Sequence, residues 1–198
     1  MWWSELDAQA RALTSLAPGI HATARIHASA TLEGAVRIGA GTVVCAGAHL
    51  VGPVEVGCDA LIGNGALVRG PVRIGDATRI GFATEIKHAR IGARVRIGPQ
   101  CFIADSVVDD DAYLGAMVRT SNHRLDGRTV EAIVDGARID TGLSKLGCHI
   151  GARASLGVQV IVLPGRTVAA DALFGPRITI ERNLPAGRYR LAQAIETF

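Results

Sequence analysis

Aromatic residues are scarce in this chain, where Phe, Trp and Tyr together make up 4% of 198 residues. With so few rings, a core must be built from the aliphatic and small side chains that raise the apolar content to 48%. Glycine, with 24 residues against 7 prolines, provides for many sharp turns. This composition is not typical of a helical domain, and the length suits one compact domain with short terminal additions.

Long hydrophobic runs and a strong net charge are also missing. No stretch approaches the roughly 20 apolar residues of a membrane span, and Glu5 and Asp7 interrupt the region where a signal peptide would be apolar. The net charge is only +3, and Trp2 and Trp3 are not interleaved with a basic stripe. We therefore expect a cytoplasmic protein that binds neither membrane nor nucleic acid.

Paired cysteines are absent as well. The four cysteines are widely separated and form no Cys-x-x-Cys pair, at Cys45, Cys58, Cys101 and Cys148. This spacing disfavours both a zinc knuckle and a disulfide framework, and it is typical of reduced cytosolic thiols.

The sequence does contain a six-residue repeat. From Ile26 to Ile86 every sixth residue is Ile, Leu or Val, in eleven consecutive positions, and the residue two before each is Ala, Val or Thr. Alternate residues of a strand share one side, so this period fits a strand of about four residues and a tight turn, not a helical face of period 3.6. Stacking such units buries continuous aliphatic ladders, which predicts an all-β solenoid.

The rhythm twice loses one residue. Ile91 follows Ile86 after five residues instead of six, and a second slip precedes Val108. The first slip contains Lys87 and His88, two groups able to carry chemistry. Neighbouring strand residues point to opposite sides, so these two side chains are expected to face apart unless the missing residue rotates them.

A longer interruption, an inserted loop at about residues 121–146, precedes the return of the repeat. Loops of this length usually carry function or contacts, and a neutral surface excursion is the alternative. We predict a helical cap over the open first coil in residues 1–19, the solenoid in 20–183 and a C-terminal cap in 184–198, because terminal coils otherwise expose apolar surface.

Four segments resemble a known family: TEIKHARIG, YLGAMVRTSNHRLDG, TGLSKLGCHIG and GVQVIVLPG. They are similar to the β-helix domain that ends sugar-1-phosphate nucleotidylyltransferases and to the acetyltransferase domain of the bifunctional enzyme that makes UDP-N-acetylglucosamine. The resemblance covers about residues 55–187. It implies a left-handed parallel β-helix of hexapeptide repeats with three repeats per coil. It also implies a homotrimer that binds acetyl-CoA and an amino-sugar phosphate between subunits.

Carried over by position, the resemblance also implies a substrate site. Arg69 and Lys87 match the cationic pair that holds the sugar phosphate, a role suited to a guanidinium beside an ammonium. Asn122 matches a sugar-contacting asparagine, and Glu85 is retained.

Three positions depart from the family pattern. Pro99 stands where the family has its general-base histidine, Phe102 replaces a tyrosine and Tyr113 replaces an asparagine. Proline has no titratable group, and a general base contributes about 10² to 10⁴ in rate. His123, directly after Asn122, is the first candidate to replace the base as a catalytic residue, and His88 is the second.

The resemblance also suggests cofactor contacts near the C-terminus. Arg166, Arg177 and Arg182 lie where the family meets the nucleotide and phosphates of acetyl-CoA or another acyl-CoA, although a solvated cationic surface is the alternative. No metal is expected. In the zinc-binding branch of hexapeptide-repeat proteins two histidines lie five residues apart, whereas Val118 and Arg128 flank His123 at that spacing.

Two functions remain open. The first is an acyl-CoA-dependent acyltransferase acting on a sugar or sugar phosphate, which rests on the retained cationic pair. The second is a non-catalytic β-helix that binds a sugar nucleotide or scaffolds a separate nucleotidylyltransferase, which rests on the three departures. The first thirty residues leave no room for a nucleotide-binding domain, so nucleotidyl transfer by this chain is not expected.

Overall fold

The computed structural model describes residues 1–193 and shows a parallel β-solenoid preceded by one helix, Trp2–Leu13. The strands form three faces, and neighbouring coils pair in parallel. Face 1 contains Gly19–Ile20, Val36–Ile38, Val54–Val56, Val107–Val108, His149–Ile150 and Thr167–Val168. Face 2 contains Arg25–Ile26, Val43–Val44, Leu61–Ile62, Arg79–Ile80, Arg96–Ile97, Tyr113–Leu114, Ser155–Leu156, Leu173–Phe174 and Arg188–Tyr189. Face 3 contains Thr31–Glu33, His49–Val51, Phe102–Ala104, Arg119–Thr120, Ile161–Val162 and Thr179–Ile180.

Two longer strands, Leu67–Ile74 and Glu85–Ile91, run from face 3 around a corner onto face 1. The all-β solenoid predicted from the repeat is confirmed. Its ladder is visible in the register, where Val36 lies beside Val54 and Val54 beside Val72, so that one regular coil takes 18 residues.

The large aliphatic residues of the repeat form the core. Ile62, Val68 and Ile86 have no exposed surface. Threonines at the small positions are also buried and satisfy their hydroxyls between coils: Thr42 Oγ1 donates to the Gly57 carbonyl at 2.7 Å and accepts from the Ala60 amide at 3.0 Å. The predicted inward side of each strand is therefore a dry, aliphatic interior.

The N-terminal helix does not lie over the first coil, contrary to expectation. Its buried Trp3 and Leu6 pack instead against Val107 of face 1 and against the inserted loop through Val130 and Leu146. The loop supplies an apolar surface beside the solenoid, and the burial of Trp3 and Leu6 against it stabilises the helix in this position.

The inserted loop and the C-terminus add further elements. The loop carries an antiparallel hairpin, Glu131–Val134 with Ala137–Asp140. Near the end, the Tyr189 ring stacks on Phe174 with centroids 4.7 Å apart. Residues 194–198 of the expected C-terminal cap lie outside the described residues, and the domain boundaries remain predictions. No helix within residues 1–193 is long and apolar enough to cross a bilayer.

Candidate active site

The corner between face 3 and face 1 contains the first missing residue. In one coil two residues, Gly70 and Pro71, separate Arg69 from the next paired position. In the following coil only His88 separates Lys87 from its next paired position. His88 makes this shortened corner with φ +42°. The first slip in the repeat is therefore a one-residue corner.

The second slip falls on the same corner one coil later. The pairing of Lys87 with Ala104 puts Asp105 directly above His88, and Asp105 has φ +49°. The inserted loop is held at this corner too, because the Leu146 amide donates to the Asn122 carbonyl at 3.0 Å. All three departures from the repeat thus stack in one column.

The column brings four side chains together, which we call the Asp105 cluster: Lys87, His88, Asp105 and Asn122. His88 Nδ1 lies 2.8 Å from Asp105 Oδ1, and Asn122 Nδ2 donates to Asp105 Oδ2 at 2.5 Å. Lys87 Nζ lies 3.6 Å from Oδ2. The expectation that His88 faces away from Lys87 is wrong, because the missing residue rotates both side chains onto one carboxylate.

Asp105 is buried, with 5% of its surface exposed, and carries a stabilised negative charge. Burial by itself raises the pKa of this carboxyl, but hydrogen bonds from His88 and Asn122 and the charge of Lys87 outweigh it and leave the pKa below its ordinary value. The carboxylate is therefore ionised near neutral pH and acts only as an acceptor.

A second pair lies beside the cluster on face 3. The Arg69 guanidinium contacts the Glu85 carboxylate, and Arg69 is in register with Lys87 on the neighbouring strand. The structure therefore brings Arg69, Glu85 and Lys87 onto one patch, and Asn122 reaches the same patch through Asp105. A cation pair in this position suits a phosphate oxyanion.

Of the three departures from the family pattern, Pro99 and Tyr113 lie away from this patch and Phe102 lies beside it. Pro99 lies at the corner between face 2 and face 3, between the strands Arg96–Ile97 and Phe102–Ala104, and Tyr113 is on face 2. Phe102 is in register with Glu85, one coil on.

His123 is not part of the Asp105 cluster. Its Nδ1 lies 3.3 Å from the Ser144 carbonyl, inside the inserted loop. It lines a cavity of about 500 Å³ together with Arg166 and Glu131. Asn122 stays at the corner while the chain turns outward after it, so the two neighbours serve different surfaces.

The three arginines assigned to acyl-CoA do not form one group. Arg166 lines the loop cavity, and the bridge between Val168 and Leu184 puts Arg182 on the next coil of that side. Arg177 lies before the face 3 strand Thr179–Ile180, at a different corner. Burial and then the charge of Arg138 lower the pKa of the Arg166 guanidinium, which marks a site where an added anion would be stabilised.

Asp105 is the residue that sequence reasoning missed. The sequence feature that could have pointed to Asp105 is the second loss of one residue from the repeat, between Ile103 and Val108. Among residues 1–193, no three His, Cys, Asp or Glu side chains are grouped as a metal site would require.

Comparison with known proteins identifies relatives by sequence. No protein-family model matches the chain. It is 58% identical over 120 residues to the uncharacterized acetyltransferase YaiX of Escherichia coli O6:K15:H31 (strain 536), covering 61% of this chain and 52% of that protein. It is 32% identical over 114 residues to the bifunctional sugar-1-phosphate nucleotidylyltransferase/acetyltransferase of Sulfurisphaera tokodaii, covering 58% of this chain and 28% of that protein.

Among solved structures, the UDP-N-acetylglucosamine acyltransferase of Campylobacter jejuni matches 82% of this chain and 69% of its own, with 17% identity and a TM-score of 0.41. The chain spans about half the length of the first curated relatives, 52% of YaiX. By sequence, over 61% and 58% of its length, the chain is a homologue of proteins named as an acetyltransferase and as a bifunctional nucleotidylyltransferase/acetyltransferase.

Proposed function

We propose that this protein transfers an acyl group from an acyl-CoA, with acetyl-CoA as the first choice, to an amine or hydroxyl of a sugar or sugar phosphate. The observation that carries the proposal is the Asp105 cluster, in which an ammonium, an imidazole and a carboxamide converge on one buried carboxylate. Such convergence of titratable groups is typical of reactive sites. Homology to named acetyltransferases supports the choice of reaction.

The acceptor site is the patch beside the cluster. Arg69 and Lys87 lie on neighbouring strands, and their side chains are 47% and 21% exposed, so both are accessible to a phosphate. Glu85, paired with Arg69, holds the guanidinium in place until the phosphate binds. Asn122 donates a hydrogen bond to Asp105 and lies next to the patch, where it orients a sugar hydroxyl or amine.

The acyl-CoA contacts are assigned to the loop side of the solenoid. Arg166 borders a cavity of about 500 Å³, and its Nε atom is buried without a hydrogen-bond partner among residues 1–193. His123 borders the same cavity, so we assign it to acyl-CoA contact in place of the base. Arg182, one coil on, extends this surface, and Arg177 remains a more distant candidate.

A homotrimer in the cytoplasm is the proposed assembly and location. Large apolar side chains are exposed on and between faces 2 and 3, with Phe82 at 57%, Tyr113 at 49% and Ile161 at 39%. Such residues are candidates for burial between subunits. Light scattering after size-exclusion chromatography should give three times the chain mass of 20.6 kDa.

The alternative is a non-catalytic β-helix that binds a sugar nucleotide or scaffolds a separate nucleotidylyltransferase. Pro99, at the position of the family's histidine, is the observation that favours it. Calorimetric binding of a sugar nucleotide without any acyl transfer would support this second function.

Acyl transfer can be measured directly with defined probes. The full chain is incubated with acetyl-CoA and either glucosamine 1-phosphate or unphosphorylated glucosamine, and acetylated products are identified by mass spectrometry. We expect product with both acceptors and a higher kcat/KM for the phosphorylated one. Absence of product from acetyl-CoA and from longer acyl-CoAs, across amino-sugar and hydroxyl acceptors, would contradict the proposal.

A further inference from the structure

We infer that His88 is the general base of the acyl transfer and that Asp105 is its positioning residue. The inference rests on the proposed function. It gives His88 the role of general base, which Pro99 cannot perform and for which His123 was the first candidate. Its basis is the geometry of the shortened corner, where two slips in the repeat bring the two residues into contact.

The hydrogen bond between the two residues selects one tautomer of His88. Because the Asp105 carboxylate is ionised, it can only accept, and the proton of the 2.8 Å contact must reside on His88 Nδ1. The neutral ring then has its lone pair on Nε2. A histidine held in this way has the orientation of a general base in nucleophilic catalysis.

Asp105 is well fixed for this task. Its side chain is buried and also bound by Asn122, while its main-chain carbonyl accepts from the Gly147 amide at 2.8 Å. Positive φ values recur at many turns of this solenoid, so strain at His88 and Asp105 is not by itself distinctive. This corner differs from other histidine–carboxylate pairs because its carboxylate is buried and His88 contacts it through Nδ1.

The other side of the ring is open to a substrate. The His88 side chain is 32% exposed, and Nε2 has no hydrogen-bond partner among residues 1–193. Lys87 lies next to it in sequence on the same carboxylate, and Arg69 lies one coil away on the face 3 side. A phosphate held by these two cations would bring its sugar to the His88 corner.

The histidines of the early coils lack this arrangement. His21 and His27 each contact, through Nδ1, a hydroxyl two residues further along their own turn, at 3.0 and 2.9 Å. His49 contacts Glu33 at 2.9 Å, but through Nε2, and that glutamate side chain is 56% exposed. An exposed carboxylate does not hold a ring as a buried one does.

The two later histidines are also occupied differently. His123 Nδ1 lies 3.3 Å from the Ser144 carbonyl, not from a carboxylate. His149 Nε2 lies 2.7 Å from Asp109 Oδ2. The Trp2 ring stacks on the His149 imidazole, with ring centroids 6.1 Å apart. His149 therefore anchors the N-terminal helix and presents no free Nε2.

The chemical step balances without a further reactant. The acceptor nitrogen or oxygen attacks the thioester carbonyl, and Nε2 of His88 takes the proton that the nucleophile loses. The new amide or ester bond forms as the carbon–sulfur bond breaks. The imidazolium then returns the proton to the thiolate, which leaves as free CoA.

Kinetics of matched variants test the role of His88. With acetyl-CoA and glucosamine 1-phosphate, His88→Ala should lower kcat/KM by about 100-fold or more, the range of a general base. His49→Ala, which removes an exposed histidine–carboxylate pair, should leave kcat/KM within about twofold of the wild type. Melting temperatures of both variants show whether they fold, and His88→Gln provides a second, polar replacement.

The outcomes separate the inference from the function. Transfer by the wild type that persists in His88→Ala and His88→Gln overturns the inference alone, and loss of transfer in His123→Ala only would move the base to the loop. Absence of transfer by the wild type overturns the proposed function and the catalytic role together. Nitrogen-15 NMR of the wild type gives a readout without turnover: we expect the neutral ring of His88 to carry its proton on Nδ1, and a neutral ring with its proton on Nε2 would overturn the inference.

Discussion

His88 Nδ1 and Asp105 Oδ1 are 2.8 Å apart although 17 positions separate the two residues in sequence. A regular coil of this solenoid takes 18 residues, as between Val54 and Val72. The difference of one is the residue missing from the corner at His88, and it gives that corner the conformation that turns the imidazole toward Asp105. Asp105 stands beside His88 because each is the first corner residue after a paired face 3 residue, Ala104 and Lys87.

Restoring the missing residue should separate the pair. Insertion of one glycine between His88 and Ala89 returns the corner to two residues, as at Gly70 and Pro71. We expect a folded solenoid by circular dichroism and a fall in kcat of about 100-fold or more, since the base loses its orientation. A glycine inserted between Asp135 and Gly136, in the exposed turn of the hairpin, is the control, and equal activity of the two insertion variants would contradict the account.

Replacement of Asp105 should affect turnover more than binding. Asp105→Asn retains the size of the side chain but removes the charge that fixes the Nδ1–H tautomer of His88. We expect kcat to fall by about 100-fold or more, with KM for acetyl-CoA changed much less, because the carboxylate is assigned no contact with that substrate. If KM rises while kcat is retained, Asp105 shapes the binding site and does not orient the base.

Asp105 should also make stability depend on pH. Its folded-state pKa is lowered, so its contribution to stability is present above the unfolded pKa of about 3.9 and is lost as the pH falls through the folded value. The melting temperature of the wild type should therefore exceed that of Asp105→Asn at pH 7, and the gap should narrow at pH 3. A gap that stays constant over this range would show that the charge of Asp105 does not stabilise the fold.

Lys87 should discriminate in favour of phosphorylated acceptors. Lys87→Met keeps the length of the side chain and removes the ammonium that lies beside Arg69 on the neighbouring strand. We expect kcat/KM to fall by about tenfold or more for glucosamine 1-phosphate, from the loss of one charged contact, and much less for glucosamine. An equal fall for both acceptors would mean that Lys87 acts through Asp105 and not on the phosphate.

The fold was predictable because the repeat records it directly. The aliphatic residues of the repeat, such as Ile62 and Ile86, are buried in the interior, so the repeat itself shows which side of each strand faces inward. The position of the helix was not predictable, since Trp3 and Leu6 fit any apolar surface and the inserted loop supplies one only after folding.

The candidate site was predictable in part. Arg69 and Lys87 meet because adjacent coils place residues 18 apart side by side, and Glu85 joins them from two residues before Lys87 on the same strand. Asp105 was missed because the two losses of one residue from the repeat mark shortened corners but do not show that Asp105 contacts His88. His123 follows Asn122 in sequence, but the chain leaves the corner between them, so proximity in sequence was misleading.

A crystal structure with both substrates bound would test the central claim most directly. Crystals of His88→Ala or of the slow Asp105→Asn variant, soaked with acetyl-CoA and glucosamine 1-phosphate, would hold the acceptor before reaction. We predict that the reacting amine lies within about 3.2 Å of Nε2 in Asp105→Asn, or of the position Nε2 vacates in His88→Ala, with the phosphate on Arg69 and Lys87. An acceptor bound with its amine away from this corner, or beside His123, would contradict the account.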